Sequence, residues 1–412
     1  MLGSDSLLYV PPDQLATTTK IGLLQKLTGK TTDFLDGTNN FQSLANVPPP
    51  LQYDAIHNGI FRFNQRSPAN TAYIPIPTGT ASVKINDRWW FAKTGALVAQ
   101  NTRLSGLAYQ DPGGLYPQLN FGCRINTTTA MTAVAAADYA EFIQYVYFEV
   151  GQTMFTYPTS ILVVARATVP GTFSVSLRNA DASQSIVFPC TITAANTVQN
   201  FLIQNIPVMP YNQGNWNDSA GRAYTLTVAT FTGSTYQTPN AGVWQSGLFI
   251  GHSSQSNFHG AVNNTFDLLD VRHVIGAKIF PFVPRDRDTD LGHCQRFFTK
   301  SYPLDTPIGN PISSYAMMMA VGSIPQATGG SLYGRVPFPR DMIKAPVMRA
   351  WHHSNSYAPD VVYIQGSTGA VTGQVASVGA SANGLTALTV SSTNGAGGSP
   401  NQAYFDWTAD AE

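Results

Sequence analysis

A mostly β fold is predicted here, an antiparallel sandwich followed by a smaller C-terminal β domain, and three observations predict it. Short apolar runs alternate with polar residues at a period of two. Gly, Pro, Asn and Ser punctuate the runs at turn spacing, and no G-x-G-x-x-G opens a helix between them. Long helical stretches do not alternate with the β runs, which argues against a doubly wound α/β fold.

Taken in order, residues 1–56 form an irregular N-terminal segment. A short amphipathic helix is predicted at 13–27, with Leu15, Ile21, Leu23, Leu24 and Leu27 on its apolar side. Pro48-Pro49-Pro50 cannot continue a helix or donate to a sheet ladder, so it reads as a stiff extended connector. This segment is too poor in repeated apolar pattern to form a core alone and is expected to dock on another chain.

Residues 57–283 carry the sandwich. Ile60-Phe61-Arg62-Phe63-Asn64-Gln65 alternates, and Tyr73-Ile74-Pro75-Ile76 reads as an edge strand because proline lacks the ladder N–H. Trp89-Trp90-Phe91 is read as core. Ile161-Leu162-Val163-Val164-Ala165 is a continuously apolar strand, and Phe173-Ser174-Val175-Ser176-Leu177 alternates strictly. Strands around Ile186, Phe201, Tyr224 and Ser246-Gly247-Leu248-Phe249-Ile250 complete the series. In the connector, 284–302, Asp288 or Asp290 is expected to cap a short helix whose apolar face is Leu291, Cys294, Phe297 and Phe298. Residues 303–412 return to strands. Leu385, Leu388 and Val390 give β character to a Gly/Ser/Thr-rich stretch, and Tyr404-Phe405-Asp406-Trp407 is an aromatic final strand.

Composition narrows function. The 412 residues suffice for two or three domains of about 100–200 residues each. The 23 basic and 23 acidic residues cancel, and 11% charged residues is far below the about 25% of an average domain. Direct nucleic-acid binding, which needs many phosphate-neutralising cations, is not expected. No run of about 18 apolar residues predicts a membrane helix, and the first residues lack a signal-peptide pattern. Cys123, Cys190 and Cys294 are an odd set without metal spacing and read as buried small apolar residues.

No motif marks an enzyme or a cofactor, and neither is expected. Glycosidases need two carboxylates across the scissile bond, and no local pattern selects a pair from Asp54, Asp87, Glu141 and Glu149. Asp286-x-Asp288-x-Asp290 invites a calcium-loop reading, but the sixth and twelfth positions hold Leu291 and Phe297 instead of Gly and Glu. His352-His353 would face opposite sides of a strand, so the pair does not share one metal. The aromatic loops are the candidates for ligand contact. Trp216 with Asn215 and Asn217, and Trp351 with Tyr357, place aromatic faces beside amides, the combination that packs on sugar C–H faces and bonds hydroxyls. The same residues also read as loop anchors or contacts between subunits.

Several stretches carry a family resemblance. Phe63-Asn64-Gln65-Arg66 followed by Ile85-Asn86-Asp87-Arg88-Trp89-Trp90-Phe91 resembles the opening of the jelly-roll, carbohydrate-binding-module-like domain of bacteriophage virion proteins. Phe142-Ile143-Gln144, Ser160-Ile161-Leu162-Val163-Val164-Ala165-Arg166-Ala167 and Phe266-Asp267-Leu268-Leu269-Asp270-Val271 are similar to its later strands. Leu291-Gly292-His293-Cys294-Gln295-Arg296-Phe297-Phe298-Thr299-Lys300-Ser301-Tyr302 resembles the C-Q-R-Y-Y-x-K-S-Y connector that follows it. Pro346-Val347-Met348-Arg349-Ala350 and Trp407-Thr408-Ala409-Asp410-Ala411-Glu412 look like the small β module after that. Asp33-Phe34-Leu35-Asp36-Gly37-Thr38-Asn39-Asn40-Phe41 resembles a tail-fibre strap, with Asn39 in place of its second glycine.

The resemblance implies a virion structural protein of the tail-fibre or surface-adhesin type, assembled in the host cytoplasm and commonly a homotrimer. Its partners would be other virion proteins and host-surface polysaccharide, with no membrane insertion. The alternative is a purely architectural head-fibre, capsid-decoration or tail accessory protein without a receptor. No ligand residues are carried over, because function does not follow from fold.

Overall fold

The computed structural model describes residues 33–35, 41–43, 53–67, 74–109, 119–279, 285–308, 317–322, 330–352, 361–366, 369–393 and 401–412. The chain divides into two compact units, Met1–Gln52 and Tyr53–Glu412. In the first, β1 (Asp33–Leu35) pairs antiparallel with β2 (Phe41–Ser43). The helix expected at 13–27 and the triple proline lie outside the described residues.

The second unit opens with a jelly-roll sandwich. Its strands begin with β3 (Ile74–Ile76), β4 (Ala81–Asn86), β5 (Trp89–Lys93), β6 (Val98–Tyr109), β7 (Leu119–Thr129) and β8 (Tyr139–Tyr147). A short helix α1 (Phe148–Gly151) precedes β9 (Thr159–Ala167), β10 (Gly171–Asn179), β11 (Gln184–Ile192), β12 (Gln199–Ile206) and β13 (Arg222–Thr232). The two-residue strands β14 (Gln237–Thr238), β15 (Gln245–Ser246) and β16 (Gly251–His252) lead to β17 (Thr265–Ile275). Among the described residues one sheet runs β15-β11-β10-β13-β8-β5-β4 and the other β12-β9-β17-β7-β6-β3.

Alternation decides which side chains meet between the sheets. Trp89, Phe91, Phe142, Val175, Leu177, Leu226 and Val228 face Ile125, Ile161, Val163, Phe266 and Val271 in one core. The continuous run in β9 is apolar because both of its faces are covered. Ile161, Val163 and Ala165 enter that core, whereas Leu162 and Val164 join Leu119, Leu269, Val274 and Ile279 in a second cluster on the other side. Pro75 sits in β3, the edge strand, as its missing N–H requires. Cys123, Cys190 and Cys294 are all buried free thiols.

Two expected strands do not form. Residues 60–65 are irregular because the Asn58 amide takes the backbone groups that a ladder would use. Its Nδ2 donates to Phe63 O (2.8 Å) and Asp87 O (2.9 Å), and its Oδ1 accepts from Phe63 N (3.0 Å). Of Ser246-Gly247-Leu248-Phe249-Ile250 only Ser246 is in a strand, and Gly247 turns the chain with φ +121°. The sandwich also takes in Ala55 and Ile56, which are buried in its core. Close approach to β17 there depends on Gly59, where a Cβ would stand 2.1 Å from Val271 O.

The connector is helix α2 (Arg287–Gln295), and its N-cap is Asp286 instead of Asp288 or Asp290. Asp286 accepts from Asp288 N (3.2 Å) and Thr289 N (3.1 Å), while Asp290 is buried one turn inside. Of the expected apolar face, Cys294, Phe297 and Phe298 are buried and Leu291 is half-buried.

The C-terminal sheet comprises β18 (Phe298–Lys300), β19 (Met317–Gly322), β20 (Gly330–Pro337), β21 (Val347–His352), β22 (Val361–Gly366), β23 (Gly369–Ser381), β24 (Gly384–Thr393) and β25 (Asn401–Asp410). The final strand β25 is its hub, pairing with β18, β19, β21 and β22. Phe405, Trp407 and Ala409 from β25 form its small core with Ala350, Val336 and Leu385.

The residues that carried the family resemblance weld this sheet to the sandwich. Asp87 accepts from Gln65 N and Nε2, both at 2.9 Å, and Gln65 Nε2 also reaches Phe298 O at 3.0 Å. Arg66 contacts Asp410 (3.2 Å) and Glu412 (3.1 Å), and Lys84 contacts Asp410 (2.6 Å). Arg88 pairs with Glu412, both nearly fully buried, and its guanidinium lies 3.5 Å from the Phe297 ring centroid.

Candidate functional site

Trp216 and Trp351, the described tryptophans singled out in the sequence, sit on different elements, a loop before β13 and strand β21. Trp216, expected as an exposed sugar-stacking face, is 2% exposed. Its indole N–H donates to Gln213 O (2.8 Å) and Pro210 O (3.1 Å), and its ring lies 5.4 Å from Phe155 and 5.6 Å from Trp244. It is the anchor of its loop. Burial wins because every polar atom of the indole is satisfied inside, so nothing opposes the gain from covering a large ring. Trp216→Ala is therefore expected to cost about 3–5 kcal/mol of stability, measurable by denaturant unfolding, whatever ligand is present. Asn215 and Asn217 stay exposed but shape the turn, with Asn217 N donating to Asn215 Oδ1 at 2.9 Å. Trp351 is half-buried on β21, its Nε1 3.4 Å from Thr408 Oγ1. Tyr357 lies outside the described residues.

The four weighed carboxylates are held by structural bonds. Asp54 accepts from Ile56 N (2.9 Å) and His273 N (3.1 Å), and burial pushes its pKa up to about 6 against the pull of Arg285. Asp87 belongs to the junction, Glu149 pairs with Arg296, and Glu141 pairs with Arg178. Among the described residues no group of three or more His, Cys, Asp or Glu side chains is placed to hold a metal.

A different surface has the chemistry that the loops lack. Along β5, Trp89 and Phe91 point into the core, so Trp90 points out. The cross-strand register then lines up Trp90, Ile143, Thr227, Ser176 and Val187 on the outer face of the seven-stranded sheet. A neighbouring row is Tyr145, Thr225, Arg178 and Ser185. The loop after β13 covers one half of this face. Gln255 bonds Ser174 and donates to Ala229 O (2.9 Å), while Ser185 Oγ donates to Gly247 O (2.8 Å). Beside it Trp90, Tyr145, Thr225 and Arg178 remain partly exposed.

The exposed strip combines rings with fixed polar groups. Trp90 and Tyr145 meet edge to face at 6.4 Å, with Lys84 4.7 Å from the Trp90 ring and Arg222 4.8 Å from the Tyr145 ring. Arg178 donates to Glu141 Oε2 (3.1 Å) and Thr227 Oγ1 (2.9 Å), which fixes its plane across the strip. Burial raises the Glu141 pKa, and Arg178 opposes that shift. Among the described residues, Trp90 Nε1, Ser176 Oγ and Arg178 Nε are buried without hydrogen-bond partners. Reading Trp89-Trp90-Phe91 as a block of core hid this strip, although strict alternation along the same three residues would have turned Trp90 outward.

No protein-family model and no curated protein matches the sequence. Among solved structures the chain is similar to the enzymatically active domain of tailspike protein 4 of bacteriophage CBA120, at 10% identity and a TM-score of 0.26, covering 54% of this chain and 22% of that one. It is also similar to a family 61 carbohydrate-binding module in complex with β-1,4-galactotriose, at 10% identity and a TM-score of 0.25, covering 54% of this chain and 99% of the module. A third likeness is to the family 11 carbohydrate-binding module of a Clostridium thermocellum cellulosomal cellulase, at 8% identity and a TM-score of 0.26, covering 49% of this chain and 97% of the module.

Proposed function

We propose that the chain is a non-enzymatic structural protein of a bacteriophage particle, docked by its N-terminal segment and presenting its β domains to the host surface. The observation that carries the attachment role is the Trp90–Tyr145–Arg178 strip, an aromatic platform with fixed donors on an outer sheet face. The placement in a virion rests on the sequence resemblance, whose motif residues in the second unit meet at the buried junction. Recognition is by contact alone. Pyranose C–H faces pack on the rings while hydroxyls engage the Arg178 guanidinium at the partly exposed edge of the strip. Glu141 serves as the fixed partner of Arg178 and not as a proton donor. Each contact is weak, and repetition in a homotrimer and around a particle supplies avidity.

The test is binding of the full chain to immobilised host polysaccharide. Trp90→Ala is expected to weaken binding tenfold or more, the factor that about 1.4 kcal/mol of lost contact represents, with unfolding monitored in parallel. Equal binding by a folded Trp90→Ala variant contradicts this site. Absence of binding, even on a multivalent array, favours the purely architectural alternative.

A further inference from the structure

A cavity lies away from the strip, where the sandwich, the start of α2 and the segment after β18 meet. It has a volume of about 240 Å³ and is lined by Arg62, Arg103 and Arg287, with Asp305 as the opposing charge and Phe121 and Asn64 on its wall. Pockets enclosing drug-sized ligands span about 300–1,000 Å³, so this one suits a single ring instead of an extended chain. We propose that it is a subsite for one acidic sugar residue, its carboxylate held by the arginines and its ring packed on Phe121; the saccharide part of this inference rests on the attachment role above.

The charge balance carries the argument. The whole chain is neutral and only 11% charged, yet three guanidinium groups and one carboxylate surround one small space. Elsewhere Arg66, Arg88, Arg124, Arg166 and Arg178 meet carboxylates. Arg62 and Arg287 make no contact ion pair among the described residues, although the Arg62 charge acts on the buried carboxylate of Asp290. Arg103 is held in place: it bonds Arg62 O and stacks 4.7 Å from the Phe121 ring centroid. Burial lowers its pKa, with Asp87 and Asp305 opposing, so an anion delivered to the cavity relieves an unfavourable confinement of charge. Planar guanidinium groups suit a carboxylate by two parallel hydrogen bonds, and the aromatic wall supplies what a bare inorganic anion does not need. Asn64, buried with its Nδ2 3.4 Å from Ile85 O, adds an amide at the rim.

The experiment titrates the full chain with sodium glucuronate, methyl glucoside and inorganic phosphate, by calorimetry or saturation-transfer NMR, at low and high salt. Glucuronate is expected to bind at millimolar concentrations and to weaken at high salt, because the attraction is screened within about 10 Å at 0.1 M. Methyl glucoside should bind at least tenfold more weakly. Arg287→Gln, on an exposed position at the helix start, should lose about tenfold in glucuronate affinity with unchanged thermal unfolding, and Arg62→Gln should do the same. The proposal is overturned if glucuronate binds no better than the glucoside, if both variants bind like the parent, or if phosphate binds as tightly as glucuronate. The outcomes for the strip are separate. Loss of polysaccharide binding in Trp90→Ala with no glucuronate response sinks only the acidic subsite. An Arg62-dependent glucuronate response with Trp90→Ala unaffected on polysaccharide sinks only the strip.

Discussion

Arg88→Ala is expected to destabilise the chain by about 3–5 kcal/mol, the cost of leaving a buried partner charge unpaired. Arg88 and Glu412 have side chains 2% and 3% exposed, so water does not replace the lost contact. The same guanidinium donates to Tyr145 O at 2.5 Å and covers Phe297, which itself packs against Tyr147 at 4.9 Å. Removing it unties the sandwich from the final strand at one point and opens a space beside α2. Arg66, which reaches the other Glu412 oxygen at 3.1 Å, keeps that carboxylate partly compensated and limits the loss. Denaturant unfolding of Arg88→Ala, Glu412→Gln and the double variant checks this. The double variant should be less destabilised than the sum of the singles, because residues in one network are coupled. A loss under about 1 kcal/mol for Arg88→Ala contradicts the weld.

Acidification from pH 6.5 to 4.5 is the second large effect, and the expected direction is loss of stability. His259 joins the two sheets, its ring nitrogens 2.8 Å from Thr127 Oγ1 and 2.9 Å from Thr230 Oγ1. His273 does the same between Tyr224 Oη (2.8 Å) and Thr159 Oγ1 (2.9 Å). Burial lowers the pKa of each to about 3, from an ordinary value of 6.5. A base with a lowered folded-state pKa gives its full contribution above 6.5 and loses it as pH falls toward 3, because the unfolded chain takes up the proton first. Each contributes a loss on the order of 2 kcal/mol between pH 6.5 and 4.5. Burial also lowers His293, to about 4, and lowers His57, which stacks on it at 4.6 Å. Asp54 and Asp406, both pushed up to about 6 by burial, act oppositely by favouring the fold as pH drops from 6 toward 3.8. His259 and His273 move further from their ordinary values than Asp54 and Asp406 do, which sets the expected sign, and Asp87, Glu141, Asp270 and Asp290, which burial also raises, reduce the net loss. Calorimetric Tm should fall steadily across this range, and a flat or rising Tm overturns the reading.

The β class was legible because alternation in β10 and the apolar run of β9 report the layers directly. What alternation cannot report is a side chain that captures backbone groups. Asn58 does this beside residues 60–65 and turns an alternating run into irregular chain. The helix cap moved from Asp288 or Asp290 to Asp286 for a similar reason, since any of three spaced aspartates satisfies a local rule and packing of α2 selects one. Site residues were the least legible. Polar neighbours made Trp216 look exposed, yet carbonyls of its own loop satisfy its indole inside. Trp90 looked buried beside Trp89 and Phe91, although the pleat turns it outward. The junction residues were legible as a pattern, but that distant Arg66, Arg88 and Glu412 meet is information that only the tertiary fold carries.

A crystal structure of the chain bound to a cell-surface oligosaccharide checks the sugar contact proposed for the outer face of the seven-stranded sheet. The expected result is a pyranose ring over Trp90 and Tyr145 with a hydroxyl bonded to Arg178. Density for the sugar elsewhere, with the strip unoccupied at saturating ligand, contradicts it.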